Sequence, residues 1–271
     1  MPDTIPPLPA EILVIEGPDA GQFMHGQFTS NVHALREGQW QFSAWLDAAG
    51  RVRALFHLAR VADQRWVMLL RGGRADAMRS ELSRFVFRAR VRLQAPTAGT
   101  LAIAPMVALH VASEDGGELL LGCGDHAIAS TAIARCDDGL RETQIRAGWP
   151  WLSDGALGQY TAASLGLHQL GAIALDKGCY PGQEIVARLH YRGGNKRRLC
   201  RVILSQDVGV DARLRRVADE AEIHVLDVMK DGSAFQGLAV AHEAWIAGPQ
   251  FDLQGLCTDG TRIRIVESWD E

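Results

Sequence analysis

Short β-prone runs alternate with two stretches of helical spacing over the first part of the chain. In the runs apolar residues are dense or alternate with polar ones, whereas in the two stretches they recur as on one face of a helix. The turn signature Asp47-Ala-Ala-Gly50 separates two of the runs and indicates a β-hairpin. The predicted elements are strand 11–15, a helix from Asp19 to about Val32, strands 40–46, 51–60 and 66–70, helix 74–87, and strand 91–93.

The pattern restarts after a linker-like segment at 96–99, which consists of proline, threonine, alanine and glycine. The next runs again predict an α+β arrangement. Strands are expected at 107–111 and 119–121 around a turn at Asp115-Gly-Gly, followed by a helix over 125–135.

The last part of the chain is β-prone throughout. Turn signals at Asp207, Asp231-Gly232 and Asp259-Gly260 separate its runs. Several short strands at close spacing are typical of a small antiparallel sheet or barrel that forms a separate domain. The predicted strands are 199–204, 222–228, 235–240 and 262–266.

Composition limits the size and class of the protein. A chain of 271 residues with 47% apolar residues can bury more than one core, so two or three packed units are expected. Its net charge of −4 argues against a protein that coats nucleic acid or an anionic membrane through bulk charge. Because the sequence contains neither a signal peptide nor an apolar run of membrane-spanning length, we expect a cytoplasmic protein without membrane or direct nucleic-acid partners.

The five cysteines are Cys123, Cys136, Cys179, Cys200 and Cys257. They are odd in number and form no C-x-x-C pair, which indicates neither a disulfide framework nor a zinc module, and no metal site is predicted. Four of them are expected to be small buried hydrophobic residues. Cys179 differs, because its neighbours are polar, glycine-rich and cationic.

The stretch from Asp176 to Arg198 carries more chemistry than a connecting loop needs. Pro181-Gly182 precedes a segment of helical spacing, so Cys179 is expected near a helix N-terminus, where backbone N–H dipoles favour an anion. Lys177 adds a positive charge two residues away, so an acidic, reactive thiol is one interpretation. A structural turn cysteine is the other, and the residues alone do not separate the two.

Gln183 and Glu184 also allow two interpretations. A surface ion pair between Glu184 and Arg188, which are spaced i, i+4, is one. In the other, Gln183 and Glu184 bind a heterocycle that has adjacent ring N–H and amine donors, because a carboxylate accepts paired hydrogen bonds from such donors. A similar choice, with solvated positions favoured, holds for three polar residues of the first predicted helix: His25, Gln27 and Thr29.

Six lysines and arginines and no acid occur between residues 188 and 201: Arg188, Arg192, Lys196, Arg197, Arg198 and Arg201. Such a run is usually a solvated face. Beside Gly193-Gly194 it is also consistent with a local anion site for a carboxylate tail or a phosphate. Without interleaved aromatic residues on a sheet, the run is a weak argument for RNA binding.

The central stretch contains Lys177-Gly-Cys-Tyr-Pro-Gly-Gln-Glu184, then Val186-Ala-Arg188 and Arg192-Gly-Gly-Asn-Lys-Arg197. It resembles the signature of the folate-binding YgfZ family, relatives of the glycine-cleavage aminomethyltransferase (T-protein). Upstream, Gly26-Gln-Phe-Thr29 and Gly148-Trp-Pro150 also look like segments of this family. The resemblance runs from about residue 11 to residue 200.

The resemblance implies an α+β fold of three parts, arranged as a cloverleaf around a channel that holds a tetrahydrofolate or a one-carbon derivative of it. The parts are a discontinuous first domain at 1–50 and 99–196, an inserted ferredoxin-like domain at 51–98, and a C-terminal antiparallel β-barrel domain at 197–271.

The resemblance also implies an accessory protein for the assembly or repair of iron–sulfur clusters in target enzymes, including tRNA-modifying ones. The expected partners are folate and iron–sulfur enzymes or assembly factors, bound by a monomer. Cys179 is then the functional residue, beside Lys177. The residues expected to bind the cofactor are Gln27, Tyr180, Gln183, Glu184, Arg188 and Arg192.

The chain departs from the aminomethyltransferases at a catalytic position. They carry an aspartate on the strand after the Asp-x-x-Gly turn, where this chain has Val52-Arg53-Ala54-Leu55. Without a carboxylate there, one-carbon transfer by their mechanism lacks its charge stabiliser. Two alternative functions stay open: a transferase with a relocated acid such as Glu184, and a non-catalytic binding module regulated by folate.

Overall fold

The computed structural model describes residues 7–96, 99–105, 108–115, 118–131, 137–246 and 254–269. The protein is a mixed α/β structure made mostly of strands, which form two antiparallel sheets of ten and six strands. Over these ranges, no helix is long and apolar enough to cross a membrane.

The larger sheet contains β1 (Pro9–Ala10), β2 (Ile12–Glu16), β3 (Gln39–Leu46), β4 (Val52–Ala62), β5 (Arg65–Leu70), β6 (Arg92–Gln94), β7 (Gly99–Ala104), β8 (Leu109–Asp115), β9 (Glu118–Cys123) and β10 (Ala127–Thr131). Their order across the sheet is β1-β7-β10-β9-β8-β3-β4-β5-β2-β6. The accompanying helices are α1 (Ala20–Gln27), α2 (Ala75–Leu82) and α3 (Asp138–Arg146). The predicted β3–β4 hairpin is present, with a register from Gln39 opposite Arg60 to Leu46 opposite Val52.

Side chains of the central strands alternate between two apolar cores. Leu55 and Leu69 point to one core, while their neighbours Phe56 and Met68 point to the other. Helices α1 and α2 cover the second face and bury Met24 within it. Because both faces are covered, these strands have dense apolar runs in the sequence instead of strict alternation.

The smaller sheet contains β11 (Arg197–Leu204), β12 (Arg213–Arg215), β13 (Glu222–Asp231), β14 (Ala234–His242), β15 (Gln254–Leu256) and β16 (Arg262–Trp269), in the order β12-β13-β14-β11-β16-β15. Two backbone bonds join its outer strands: Val217 N donates to Leu256 O (2.9 Å) and Thr258 N donates to Arg215 O (3.0 Å). The sheet thus closes on itself around a core of its own. Helix α4 (Gln183–Arg192) precedes it in the chain.

The division into three domains stays a prediction. The boundary predicted between residues 50 and 51 falls within the β3–β4 hairpin. Strands β4, β5 and β6 belong to the same sheet as β2 and β3, so residues 52–94, all of them described, have no sheet of their own.

The first helix is shorter than predicted. Helix α1 ends at Gln27, and Phe28 is extended and forms a bridge with Trp45. Thr29 N then donates to Ala44 O (3.0 Å). Pairing with β3 therefore ends the helix before the predicted end at Val32, because tertiary contacts outweigh local helix preference.

The helix predicted over 125–135 was wrong for the residues that the structure describes. Residues Ala127–Thr131 are strand β10, which pairs with β7 on one side and β9 on the other, and 132–136 lie outside the described residues. Pairing on both edges outweighs the helix preference of the alanines. Helix α3, which the pattern did not predict, follows, and its N-cap Asp137 accepts from Leu140 N (3.0 Å).

Smaller differences concern short or displaced strands. The strand predicted at 107–111 is Leu109–Asp115, and the glycines of the turn predicted after Asp115 lie outside the described residues. Strands β1, β12 and β15 were not predicted, since two or three residues are too few to show a period.

A buried guanidinium joins the larger sheet to the segment that leads to the central stretch. Arg71 follows β5 and is 1% exposed. Its guanidinium donates to Trp149 O (2.8 Å), Pro150 O (3.0 Å) and Gln144 Oε1 (2.9 Å). Its Nη1 lies 3.2 Å from Nε2 of His57, a buried ring whose pKa burial lowers well below its usual value, so the neutral ring accepts. The two aromatics that flank Pro150, Trp149 and Trp151, are half-buried and pack against the core.

Replacing Arg71 with methionine should lower the free energy of unfolding by roughly 3 kcal/mol or more, because two carbonyls and an amide oxygen are left buried without donors. Denaturant unfolding at an unchanged m value measures the loss. The control is Arg36→Met at an exposed position, expected to change the free energy of unfolding by less than about 0.5 kcal/mol. A loss below about 1 kcal/mol for Arg71→Met contradicts the proposed role of this guanidinium.

Candidate functional site

The approach to the central stretch is tied to the chain just after α1. Thr29 Oγ1 donates to Ala172 O (2.7 Å), and Ala174 N donates to Thr29 O (2.9 Å). Thr29 is fully buried, and Ala44 N donates to its hydroxyl oxygen (2.9 Å). Thr29 is therefore a structural link and not the solvated position that the sequence favoured.

The side chain of Lys177 binds backbone carbonyls at the C-terminal end of α1 and just after it. Its Nζ donates to three carbonyl oxygens, those of His25 (2.6 Å), Phe28 (2.5 Å) and Ser30 (2.9 Å). All three N–H groups of the ammonium are thus used, and they satisfy carbonyls that the end of a helix leaves free. Burial lowers the pKa of Lys177 to about 8. We call this contact the Lys177 clamp; the influence of Lys177 on the Cys179 thiol stays a prediction.

A type II turn leads from the thiol into α4. Gln183 N donates to Tyr180 O (3.2 Å), with Pro181 and Gly182 at the two central positions and φ 78°, ψ 1° at Gly182. A Cβ atom on residue 182 would lie 2.5 Å from Asp47 O, so the glycine also lets the β3–β4 turn support the start of α4. Cys179 precedes this turn and is exposed.

Helix α4 begins at Gln183, as predicted, and separates the predicted ligand residues. Gln183 Nε2 makes a long hydrogen bond to Lys177 O (3.4 Å), so its side chain lies next to the clamp. Glu184, Arg188 and Arg192 lie on the exposed side of the helix. No ion pair between Glu184 and Arg188 forms among the described residues, so the surface-pair interpretation was wrong.

Three buried polar atoms around the Lys177 clamp have no hydrogen-bond partner in the part of the chain that the structure describes: His25 Nδ1, Gln27 Oε1 and the Tyr180 hydroxyl. Lys177 binds the carbonyls of two residues that flank Gln27, and its Nζ lies 5.0 Å from the Tyr180 ring centroid. Buried polar groups are nearly always paired, so these three atoms, on residues of α1 and of the signature segment that Lys177 joins, are candidates for contact with a ligand.

The protonation of these groups follows from their burial. Burial raises the pKa of Tyr180 to about 12, so its hydroxyl keeps its proton and can donate. His25 stacks on His33 with 4.1 Å between ring centroids. Burial, and after it the Lys177 charge, lowers the pKa of His25 below its usual value, so the ring is neutral at neutral pH. The cluster offers a donor at Tyr180 and an acceptor at Gln27.

A basic groove lies beside α4. It has a volume of about 580 Å³, and its cationic lining residues are Arg51, Arg188, Lys196 and Arg197. Among the described residues that line it, none is acidic. We keep the name basic groove for this cleft.

The structure thus brings the predicted site residues together in two groups. Gln27, Lys177, Tyr180 and Gln183 surround the clamp, whereas Arg188 lines the basic groove. Sequence reasoning missed Arg51, because only the fold brings the β3–β4 turn next to α4. The Asp47-Ala-Ala-Gly50 turn was the available signal, but it pointed only to a hairpin.

Another cleft, of about 380 Å³, lies beside β4, the strand after the Asp47-Ala-Ala-Gly50 turn. Arg53 lines it, forms an ion pair with Glu81, and lies with its guanidinium 4.5 Å from the Trp45 ring centroid. The resemblance places the catalytic aspartate of the aminomethyltransferases on this strand, where residues 52–55 of this chain include no carboxylate.

No protein-family model matches the chain. The tRNA-modifying protein YgfZ of Klebsiella pneumoniae (strain 342) is 30% identical over 221 residues, which cover 69% of this chain and 67% of that protein. The protein of the same name from Escherichia fergusonii is 28% identical, with coverage of 69% and 68%.

A solved structure, the glycine cleavage system aminomethyltransferase T from Bartonella henselae, matches with a TM-score of 0.64. The match covers 96% of this chain and 82% of that chain at 16% identity, which is evidence for the fold alone. The sequence relatives carry the family assignment, and the fold agrees with the expected likeness to the T-protein: the chain belongs to the YgfZ family.

Proposed function

We propose that this protein binds tetrahydrofolate, or a one-carbon derivative of it, and acts as an accessory factor for the assembly or repair of iron–sulfur clusters in target enzymes. Enzymes that modify tRNA are among the proposed targets, since curated relatives in this family are named tRNA-modifying proteins. The fold shared with an aminomethyltransferase supports a folate ligand.

The orphaned polar atoms at the Lys177 clamp are the observation that carries the proposal. The pterin ring of a folate presents ring N–H and amine donors beside ring nitrogen and carbonyl acceptors. Gln27 Oε1 is an unused acceptor and the Tyr180 hydroxyl an unused donor, both buried. A heterocycle of this kind satisfies both, and the residues therefore fit the ligand.

Helix α4 supplies the remaining groups. In the proposal, Gln183 beside the clamp and the exposed Glu184 bind the polar edge of the ring, since a carboxylate accepts paired hydrogen bonds from adjacent N–H groups. Arg188 and Arg192 then attract the negatively charged glutamate tail. Both guanidiniums are exposed, so they can meet a ligand without loss of an existing contact in the core.

Cys179 is the proposed functional thiol. When bound, tetrahydrofolate supplies the capacity to carry a one-carbon unit. The thiol itself is exposed, so a partner protein or a cluster held as cargo can reach it. Thiolates are both nucleophiles and iron–sulfur ligands, which suits a residue that contacts a cluster or a partner thiol.

One-carbon transfer by the aminomethyltransferase mechanism is not favoured. That mechanism needs a carboxylate to stabilise charge, and the corresponding strand presents Arg53, already paired with Glu81. A relocated acid at Glu184 stays an alternative to be tested by folate-dependent transfer from a methylamine donor. Turnover that Glu184→Gln abolishes would overturn the accessory role proposed above.

Gln27→Leu and Tyr180→Phe should each weaken tetrahydrofolate binding roughly tenfold, the effect of one net hydrogen bond. Neither variant should lower the free energy of unfolding of the ligand-free protein, because each removes a buried atom that has no partner. Titration calorimetry and denaturant unfolding measure the two effects separately.

Matched controls are available for both variants. Gln22→Leu changes an exposed glutamine on the same helix, and Tyr191→Phe changes a tyrosine that is 74% exposed. Both controls should bind tetrahydrofolate like the parent protein. Equal affinity for all four variants, or no measurable binding by the parent at millimolar ligand, argues against the folate site.

Cys179→Ala should leave the free energy of unfolding within about 0.5 kcal/mol of the parent value, since the side chain is exposed. In cells that lack the protein, the variant should fail to restore the activity of iron–sulfur enzymes, including the level of thiolated tRNA. Cys123→Ser, a change at a half-buried cysteine, serves as the control and should restore both. Full rescue by Cys179→Ala would contradict the role proposed for the thiol.

A further inference from the structure

Four cations from four different segments converge on the basic groove. Arg51 follows the β3–β4 turn, Arg188 lies on α4, Lys196 lies in the loop after it, and Arg197 begins β11. Arg51 is far from the other three cations in sequence, so the fold, and not the local basic run, brings it to the groove. Clustered like charges repel one another, so the arrangement favours a bound anion.

These cations form few ion pairs with carboxylates of the protein. Among the described residues, neither Arg188 nor Lys196 forms an ion pair. Arg197 lies 4.0 Å from Glu222, but that carboxylate also binds Arg213 at the shorter distance of 3.2 Å. The chain has a net charge of −4 and thus more acidic than basic residues, yet no acidic residue is among the described residues that line this groove.

The guanidinium of Arg51 is nearly as free as the other cations. Its one hydrogen bond among the described residues is a long contact to Gly158 O (3.4 Å), and the nearby Asp47 carboxylate accepts from the Arg51 backbone N–H (2.9 Å) without forming an ion pair with the guanidinium. The nearest acid along α4 is Glu184, one turn before Arg188, and it makes no ion pair with any described residue. The positive charge of the groove is therefore available to a ligand.

Asn195 adds a neutral donor held in a fixed orientation. Its Oδ1 accepts from Ser164 Oγ (3.0 Å) and from Arg197 N (3.4 Å). These bonds hold the amide oxygen, while the amide nitrogen has no partner in the described structure. Cations beside an oriented N–H donor make a site for phosphate oxygens.

The groove itself offers little aromatic surface for stacking bases. Two aromatic side chains line it: Tyr160 is 3% exposed, with its hydroxyl 2.5 Å from His224 Nδ1, and His242 is half-buried. The guanidinium of Arg197 lies 5.9 Å from the Tyr160 ring centroid. Since proteins that bind single strands through their bases use exposed aromatic rings, a ligand here contacts the groove through its charged backbone.

The groove continues into a second cleft of about 240 Å³, which Arg198 also lines. The two clefts share Leu189, Gly194 and Asn195. Gly193 and Gly194 have φ values of 67° and 91°, and a Cβ on either would meet open space, so nothing blocks the lip between the clefts. A single phosphate group would fill only part of the two clefts together.

We propose that the basic groove binds the phosphodiester backbone of a nucleic-acid strand, without reading its sequence. This differs from the expectation drawn from net charge, because the contact is local and does not depend on bulk charge. RNA is the natural probe, since curated relatives are named tRNA-modifying proteins. The groove includes none of the residues of the Lys177 clamp and shares only Arg188 with the proposed folate site, and the proposal does not require that folate binds.

The test measures the binding of the full chain to a fluorescently labelled single-stranded RNA by anisotropy, with no tetrahydrofolate present. The variant Arg51→Gln/Lys196→Gln removes two groove cations that have no role in the proposed folate site. Its matched control, Arg36→Gln/Lys230→Gln, removes two exposed cations elsewhere and leaves the same net charge.

The parent and the control should bind RNA alike. For the groove variant, affinity should fall on the order of tenfold at about 0.05 M salt, and the slope of log affinity against log salt should shrink by about 1.4, or about 0.7 for each lost phosphate contact. A DNA strand of the same sequence should bind with similar affinity, because the contact is to the backbone.

Three results overturn the proposal. Equal losses in both double variants would mean that bulk charge binds the RNA. Displacement of the RNA by inorganic phosphate or a mononucleotide at concentrations near the strand's own dissociation constant would mean a site for a single phosphate. Unchanged RNA binding by the groove variant, with weaker tetrahydrofolate binding in a separate titration, would assign the groove to the folate tail. Failure of the RNA experiment leaves the folate proposal at the clamp intact.

Discussion

The ammonium of Lys177 holds together the parts from which the site is built. It donates to three carbonyls at and beyond the end of α1, and in doing so it fixes the signature segment on that helix. Burial of the ammonium disfavours its charged form and lowers its pKa to about 8, while three carbonyl partners offset the lost hydration. This contact joins the end of α1, which carries Gln27, to the signature segment, which carries Tyr180.

Two buried polar clusters in this protein each hold a fully bound cation beside polar atoms that have no partner. The guanidinium of Arg71 is bound by two carbonyls, an amide oxygen and a neutral imidazole, and fixes one segment on the sheet. Beside it, His57 Nδ1 and Gln144 Nε2 have no hydrogen-bond partner among the described residues, and the same holds for Gln27 Oε1 and the Tyr180 hydroxyl at the other cluster. The Lys177 clamp differs because it lies in the signature segment, two residues from the exposed Cys179, and the folate site is therefore proposed there.

Local chemistry in the sequence was sufficient for the hairpin at Asp47 to Gly50 and for the start of α4. There Pro181-Gly182 both sets the type II turn and precedes the helix. Elements decided by distant pairing were not predictable in this way: Ala127–Thr131 has alanines that favour a helix, but lies between two strands. The end of α1 likewise depends on Thr29 meeting Ala44.

The same limit applied to the site. Proximity in sequence predicted that Lys177 acts on Cys179, and that stays a prediction; the contacts of its side chain with carbonyls of residues 25–30 follow from no local pattern. The run of cations from Arg188 was visible in the sequence, but the contribution of Arg51 to the groove needed the fold. The candidate ligand residues near the signature were chosen from the sequence, which could not show that α4 separates them into two groups.

A folate bound at the Lys177 clamp would complete the polar cluster there. A crystal structure of the protein with bound tetrahydrofolate tests this most directly. Ligand atoms are expected within hydrogen-bond distance of Gln27 Oε1 and of the Tyr180 hydroxyl, with the Lys177 contacts unchanged. A ligand bound instead in the cleft beside Arg53, with those two atoms still unpaired, would contradict it.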